Sequence, residues 1–319
     1  MDPLCHTLVG AVLAETGPRQ RTRFAVAGGV IGANLPDIDV FAVMLGPMLE
    51  VRRGWTHGVV ALVLLPFLLT GLLLLWARWR PRTEGRKGRA GPLLVLVTAA
   101  VLTHPLLDWM NVYGMRWLLP FDGTWTAADT LFIVDPVLYL ILGTAWFLGR
   151  RHAAGVAWAR GGLALTGLYL VLQLGVTGAA KTAVRADGTV GEADPVIMLP
   201  LPLHPLARDV LVDGGRVWIR GSVRGFPVPT VAWIDSVPKE LEVEVLDALE
   251  ATREGRAWFD WARAPFAEPL PGGGGWRVGD LRYGDPGIEG WASLRVDRVP
   301  PIRPLLRSER RDTPRGPPA

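Results

Sequence analysis

Residues 58–76 form an uncharged, almost wholly apolar run, long enough to cross a bilayer as a helix. Similar runs occupy 24–46, 92–110, 132–149 and 161–179, with a shorter one at 3–16. In lipid every backbone polar group must be satisfied within the segment, so such runs fold as helices. Half of the 319 residues are hydrophobic, and the composition changes near residue 180. The expected architecture is mainly α. A polytopic helical membrane domain over 1–180, with about five to six membrane segments, precedes a small soluble α+β domain over 181–302. Residues 303–319, rich in Pro and Arg, read as a disordered tail.

The charge excess belongs to the apolar half. Up to Ala180 there are 15 Lys and Arg against 10 Asp and Glu, and beyond it 19 against 20. The excess sits in short linkers at 17–23, 77–91 (with Arg78, Arg80, Arg82, Arg86, Lys87 and Arg89) and 150–160, so it reads as membrane topology rather than nucleic-acid binding. Counting six segments with these linkers cytoplasmic places the 47–57 loop, the 111–131 loop and everything after 180 on the extracytoplasmic side. Cys5 is the only cysteine, which excludes an internal disulfide and a Cys-x-x-Cys zinc site. No Gly-x-Ser-x-Gly elbow, P-loop or dinucleotide fingerprint is present. In the second half, 210–220 reads as a hairpin around Asp213-Gly214-Gly215, 240–264 as helical, and 275–283 and 291–296 as strands.

Against this background the placement of His6, Asp37, Asp39, His57, His104 and Asp108, in or beside apolar runs, is costly. An Asp at mid-bilayer costs about 3 kcal/mol, so such residues pair, line a wet cavity or bind a cation. Neutral nitrogen with anionic oxygen is a metal-ligand combination. His104 and Asp108 are four apart and share one helical face, either as ligands of one ion or as a hydrogen-bonded pair. Asp37-Ile38-Asp39 follows a break at Asn34-Leu35-Pro36 and offers one metal-binding carboxylate, with a helix cap as the alternative. His57 precedes a clean membrane helix, where Arg53 is placed to hold a phosphate or carboxylate, and Arg52 and Trp55 read as interfacial anchors. Asn111 and Tyr113 lie in the loop over the site as substrate contacts. Asp129 and Asp135 bracket the next helix as proton acceptors, second-metal ligands or helix caps. Cys5 reads as an inert buried thiol, and His152 and His204 fall outside the site.

In order and spacing, Met1-Asp2-Pro3 with His6, Asn34-Leu35-Pro36-Asp37-Ile38-Asp39, Arg53-Gly54-Trp55-Thr56-His57 and Thr103-His104-Pro105-Leu106-Leu107-Asp108 resemble the YdjM-type family of membrane-bound metal-dependent hydrolases. Asn111-Val112-Tyr113-Gly114, Pro120-Phe121 and the segment from Asp129 to Asp135-Pro136 continue the likeness over about residues 1–180. Trp258-Phe259-Asp260-Trp261 and Asp280-Leu281-Arg282-Tyr283 resemble the soluble extension of the YfhP-type branch. Gly58 departs from the pattern, standing where a small hydroxyl residue is expected. The ligand order is also similar to zinc-dependent phospholipase C and related nucleases. The resemblance implies an integral membrane hydrolase acting on a phosphoester or ester of a lipid-like substrate, with zinc favoured and manganese second. The alternative is a non-catalytic metal-binding scaffold or lipid carrier whose outer domain recruits a partner.

Overall fold

In the computed structural model, residues 1–79 and 89–298 are described. The basic cluster from Arg80 to Lys87 and the tail at 303–319 lie outside the described residues.

Helix α1 (Pro3–Glu15) starts where the Asp2 carboxylate accepts from the Leu4 and Cys5 amides. A short α2 (Pro18–Arg21) leads to α3 (Ala25–Asn34). α1 and α3 approach so closely that a Cβ on Gly10 would stand 2.2 Å from the Gly29 carbonyl oxygen. Only glycine permits this contact, and it presses Thr7 against Asn34, whose Nδ2 donates to Thr7 Oγ1 at 3.0 Å.

The break expected around Pro36 is a change of helix type. α3 runs into a 3-10 helix, Leu35–Leu45, because Pro36 has no amide to donate but fits the first turn. There follow α4 (Met48–Val51), α5 (Val59–Trp79), α6 (Ala90–Trp109), α7 (Pro136–Arg151) and α8 (Gly155–Ala186). Among the described residues, four helical stretches are long and apolar enough to cross a membrane: Ala25–Leu45, Val59–Trp79, Ala90–Trp109 and Gly155–Ala186. α1 and α7 are shorter, and one apolar core joins them: Cys5, Val9 and Val12 of α1 with Leu138, Leu142 and Ala145 of α7, and Leu107, Ala159 and Tyr169 from α6 and α8.

The composition shift near 180 is not a linker. α8 continues to Ala186, and its last turns carry Ala180 and Val184 into the core of the sheet that follows. That sheet is an antiparallel meander of β1 (Val196–Leu201), β2 (His204–Asp213), β3 (Val217–Arg224) and β4 (Thr230–Pro238). The expected hairpin is present, turning at Gly214-Gly215 with Gly215 at φ +82°. The helical stretch expected over 240–264 is two helices, α9 (Val243–Glu250) and α10 (Arg253–Trp261), because Thr252 caps a new start by accepting from the Gly255 amide. β5 (Pro265–Pro269), β6 (Gly275–Asp280) and β7 (Leu294–Asp297) form a second, three-stranded antiparallel sheet. The last strand therefore begins three residues later than the apolar pattern suggested.

Candidate metal centre

His104 stands in the last turns of α6, and its Nδ1 lies 2.7 Å from the Ala33 carbonyl oxygen of α3. A carbonyl only accepts, so Nδ1 carries the proton and Nε2 presents its lone pair. His57, in the loop before α5, brings its own Nε2 to 3.1 Å from that atom. Behind His57, Nδ1 is 3.4 Å from Asp39 Oδ2 and 3.2 Å from Thr56 Oγ1. Burial lowers the His57 imidazole below its ordinary pKa range, favouring the neutral form.

Two carboxylates complete the group. Asp108 Oδ2 is 3.6 Å from His57 Nε2 and 3.5 Å from His104 Nε2, and Asp37 Oδ1 is 3.7 Å from each. One donor atom from each of Asp37, His57, His104 and Asp108 falls within 4.8 Å of every other. With metal–ligand bonds of about 2.0–2.2 Å, a tetrahedral ion separates its ligand atoms by about 3.4 Å. The distances match that spacing. Asp108 Oδ2 is buried and, apart from its ion pair with Arg53 Nε at 2.9 Å, has no hydrogen-bond partner, which suits a carboxylate able to ligate an ion. The residues present therefore fit a divalent ion.

His6 is adjacent to this group. Its ring stacks on His104 at 3.8 Å between centroids, Nε2 is 3.4 Å from Asp108 Oδ1, and neither ring nitrogen has a hydrogen-bond partner. The Met1 amino group also contacts Asp108 Oδ1. Asp39 points at His57 and accepts from the Arg53 amide at 2.7 Å and from Arg52. It sits behind the ligands, where a carboxylate orients an imidazole. Of Asp37 and Asp39, only Asp37 brings its carboxylate into the group that could hold an ion.

Two arginines hold the acids. Arg52, read from sequence as a headgroup anchor, instead pairs with Asp37 at 3.0 Å and with Asp39. Arg53 is buried with Nε 2.9 Å from Asp108 Oδ2, and it donates to Asn111 Oδ1 at 3.1 Å and to the Gly114 carbonyl at 2.9 Å. Its guanidinium lies 4.4 Å from the Tyr113 ring centroid. Asn111 Nδ2 is buried without a partner.

Asp129 and Asp135 are not brought to the cluster. Asp129 is gripped by both terminal nitrogens of Arg263 at 2.6 and 2.8 Å. Asp135 caps α7 through the Val137 and Leu138 amides and accepts from Tyr169 Oη at 2.8 Å. For Asp135 the helix-cap alternative holds.

The second domain roofs the centre. Arg282 donates to the Val112 carbonyl at 2.7 Å and Trp261 to the Tyr113 carbonyl at 3.2 Å. Tyr113 packs among Trp125, Trp261 and Trp291. A polar cavity of about 590 Å³, lined by Glu50, Arg116, Trp125, Asp260 and Arg263 among others, opens between the 111–131 loop and α10. An apolar groove of about 510 Å³ is lined by residues of α5 and α6 together with Trp117 and Leu118. Arg263 was not singled out from sequence, and Trp261 and Arg282 stood out only within motifs resembling the YfhP-type extension, since their partners are far away in the chain.

A match to the uncharacterized protein YfhP of Bacillus subtilis (strain 168) is 25% identical over 186 residues, covering 54% of this chain and 51% of that one. The chain thus spans about half the length of that curated relative. No solved structure matches. Residues 1–184, which contain every member of the cluster, match the model of the YdjM inner membrane protein family, and the chain belongs to that family.

Proposed function

We propose that the chain is an integral membrane metal-dependent hydrolase that cleaves a phosphoester or ester of a lipid-like substrate. The observation behind this reading is the 3.1 Å approach of His57 Nε2 to His104 Nε2, with Asp37 and Asp108 around the same point. These four residues would hold the ion, and His6 with Asp108 Oδ1 would serve a second. A mixed imidazole and carboxylate set suits zinc, with manganese second. A divalent ion there supplies Lewis acidity and activates water near neutral pH.

The chain's own residues supply the rest. Arg53 meets the charge of a phosphate or carboxylate, and Asn111 Nδ2 and the Tyr113 ring contact the substrate. The positions of Asp129 and Asp135 give no support to a proton-transfer role for either. Support for a lipid-like substrate comes from the polar cavity and the apolar groove, which flank consecutive residues Arg116 and Trp117. They offer separate surfaces to a head group and an acyl chain. Support for an extracytoplasmic centre comes from Arg150 and Arg151 at the far end of α7, since basic residues are in excess on the cytoplasmic side.

Elemental mass spectrometry on detergent-purified protein tests the reading, wild type beside the His104→Ala/Asp108→Ala double variant. About one or two zinc or manganese ions per chain are expected, lost in the variant. A screen of phospholipids and phosphodiesters then looks for turnover that a chelator abolishes and metal restores. A second reading has its own support: four protein ligands suffice to close a tetrahedral site, and closed sites are structural. Bound metal without turnover would favour that non-catalytic scaffold or lipid carrier.

A further inference from the structure

The turns of the four-stranded meander are unequal. β1 joins β2 at the Leu201–His204 pair, and β3 joins β4 beyond the Arg224–Thr230 pair. Because neighbouring strands are antiparallel, these two turns lie at one end of the sheet and the β2–β3 turn at the other. The single turn reads Asp213-Gly214-Gly215-Arg216 and is polar. The paired turns read Leu201-Pro202-Leu203-His204-Pro205-Leu206 and Gly225-Phe226-Pro227-Val228-Pro229, with no formally charged residue. Leu203 is 74% exposed and Val228 83% exposed.

Their depth can be read from α8. Residues 161–180 form an uncharged run of 20 residues between Arg160 and Lys181. At 1.5 Å per residue that is about 30 Å, the thickness of a bilayer's hydrocarbon core. The Phe226 ring comes within 3.9 Å of where a Cβ on Gly175 would stand, five residues inside the end of that run. Arg208, one residue past Ala207 on β2, reaches the same level: it donates to Gln173 Oε1 at 2.6 Å and Thr177 Oγ1 at 3.3 Å, enclosed by protein. Around this level the exposed side chains of α8 and of the segment before α7 are apolar, with Val171, Leu172, Leu174, Ile133 and Val134, while the exposed Arg224 at the edge of the β3–β4 turn pairs with Asp209 at 3.3 Å. The paired turns continue that lipid-facing surface.

From this placement we infer that the β1–β2 and β3–β4 turns dip into the bilayer leaflet on the soluble domain's side, with Leu203, Phe226 and Val228 at the boundary between head groups and acyl chains. Four prolines suit the location, since each removes an amide that lipid would leave unsatisfied. The turns anchor the soluble domain to the membrane at a second point besides α8, holding it over the site. The inference needs only the membrane location and stands apart from the proposed chemistry.

The test uses full-length protein in phosphatidylcholine vesicles. Cys5 is buried, so Leu203→Cys, Val228→Cys and, at the opposite turn, Arg216→Cys each give one accessible thiol for a polarity-sensitive fluorophore. Blue-shifted emission at 203 and 228, quenched by lipids carrying a nitroxide near the head group, with neither effect at 216, is the expected result. Water-like, unquenched emission at 203 and 228 would overturn the inference. So would labels shielded from aqueous iodide yet untouched by nitroxide lipids, which would mean that a second copy covers the turns.

Discussion

His57 Nε2 and His104 Nε2 face each other at 3.1 Å, while the opposite nitrogen of His104 is committed to the Ala33 carbonyl. At most one proton lies between those two nitrogens, while two carboxylates converge on the same point. A cation would resolve the arrangement, and the Ala33 and Asp39 contacts would determine which nitrogens meet it.

Ligands and the group behind them separate by magnitude. His57→Ala and Asp108→Asn are expected to abolish stoichiometric metal binding in an isothermal titration. Asp39→Asn, which removes only the group behind His57, should weaken binding about 10–100-fold and leave the stoichiometry intact. Equal loss in all three would place Asp39 among the ligands.

Arg53 is a buried partner of Asp108 and a donor to the Asn111 side chain and the Gly114 carbonyl. Removing one member of a buried ion pair costs about 3–5 kcal/mol, so Arg53→Ala should lower the thermal unfolding midpoint of metal-free protein sharply. Arg53→Lys keeps the charge but loses the planar fork, and should fall between the two.

The α1–α3 contact should tolerate no side chain at its centre. Gly10→Ala places a methyl group against the Gly29 carbonyl, and overpacking of this kind costs about 1–3 kcal/mol. Gly71→Ala on α5 has nothing within 4 Å of its new methyl and should be neutral or slightly stabilising. Thermal unfolding in the same detergent compares them directly.

Acid should loosen the roof through Asp280. Burial works against its ionisation, but the Arg282 guanidinium and the Arg282 and Arg263 amides hold the carboxyl below its ordinary value. A depressed folded-state pKa contributes stability that is present above the unfolded value and lost as pH falls through the folded one. Wild type should therefore lose stability below about pH 4, and Asp280→Asn, less stable at pH 7, should show a flatter acid limb. A parallel acid limb in both would remove Asp280 from the titration.

The membrane helices, the hairpin at Asp213-Gly214-Gly215 and the four-residue pairing of His104 with Asp108 were all legible in the order of residues. Each rests on local periodicity or a turn, which neighbours in the chain decide. The cost of burying His57 and Asp37 in apolar surroundings also pointed to them without a fold. What each acid does was decided only by tertiary contacts. Asp129 meets Arg263 across 134 positions, Asp135 meets Tyr169 across 34, and Arg282 reaches Val112 across 170. No spacing rule spans such separations. Asp37 and Asp39, one residue apart, were assigned different tasks by where α6 and the Arg52-Arg53 loop happen to pack. A carboxylate's role follows from the charge within about 4 Å of it, and that charge arrives only when the chain has closed.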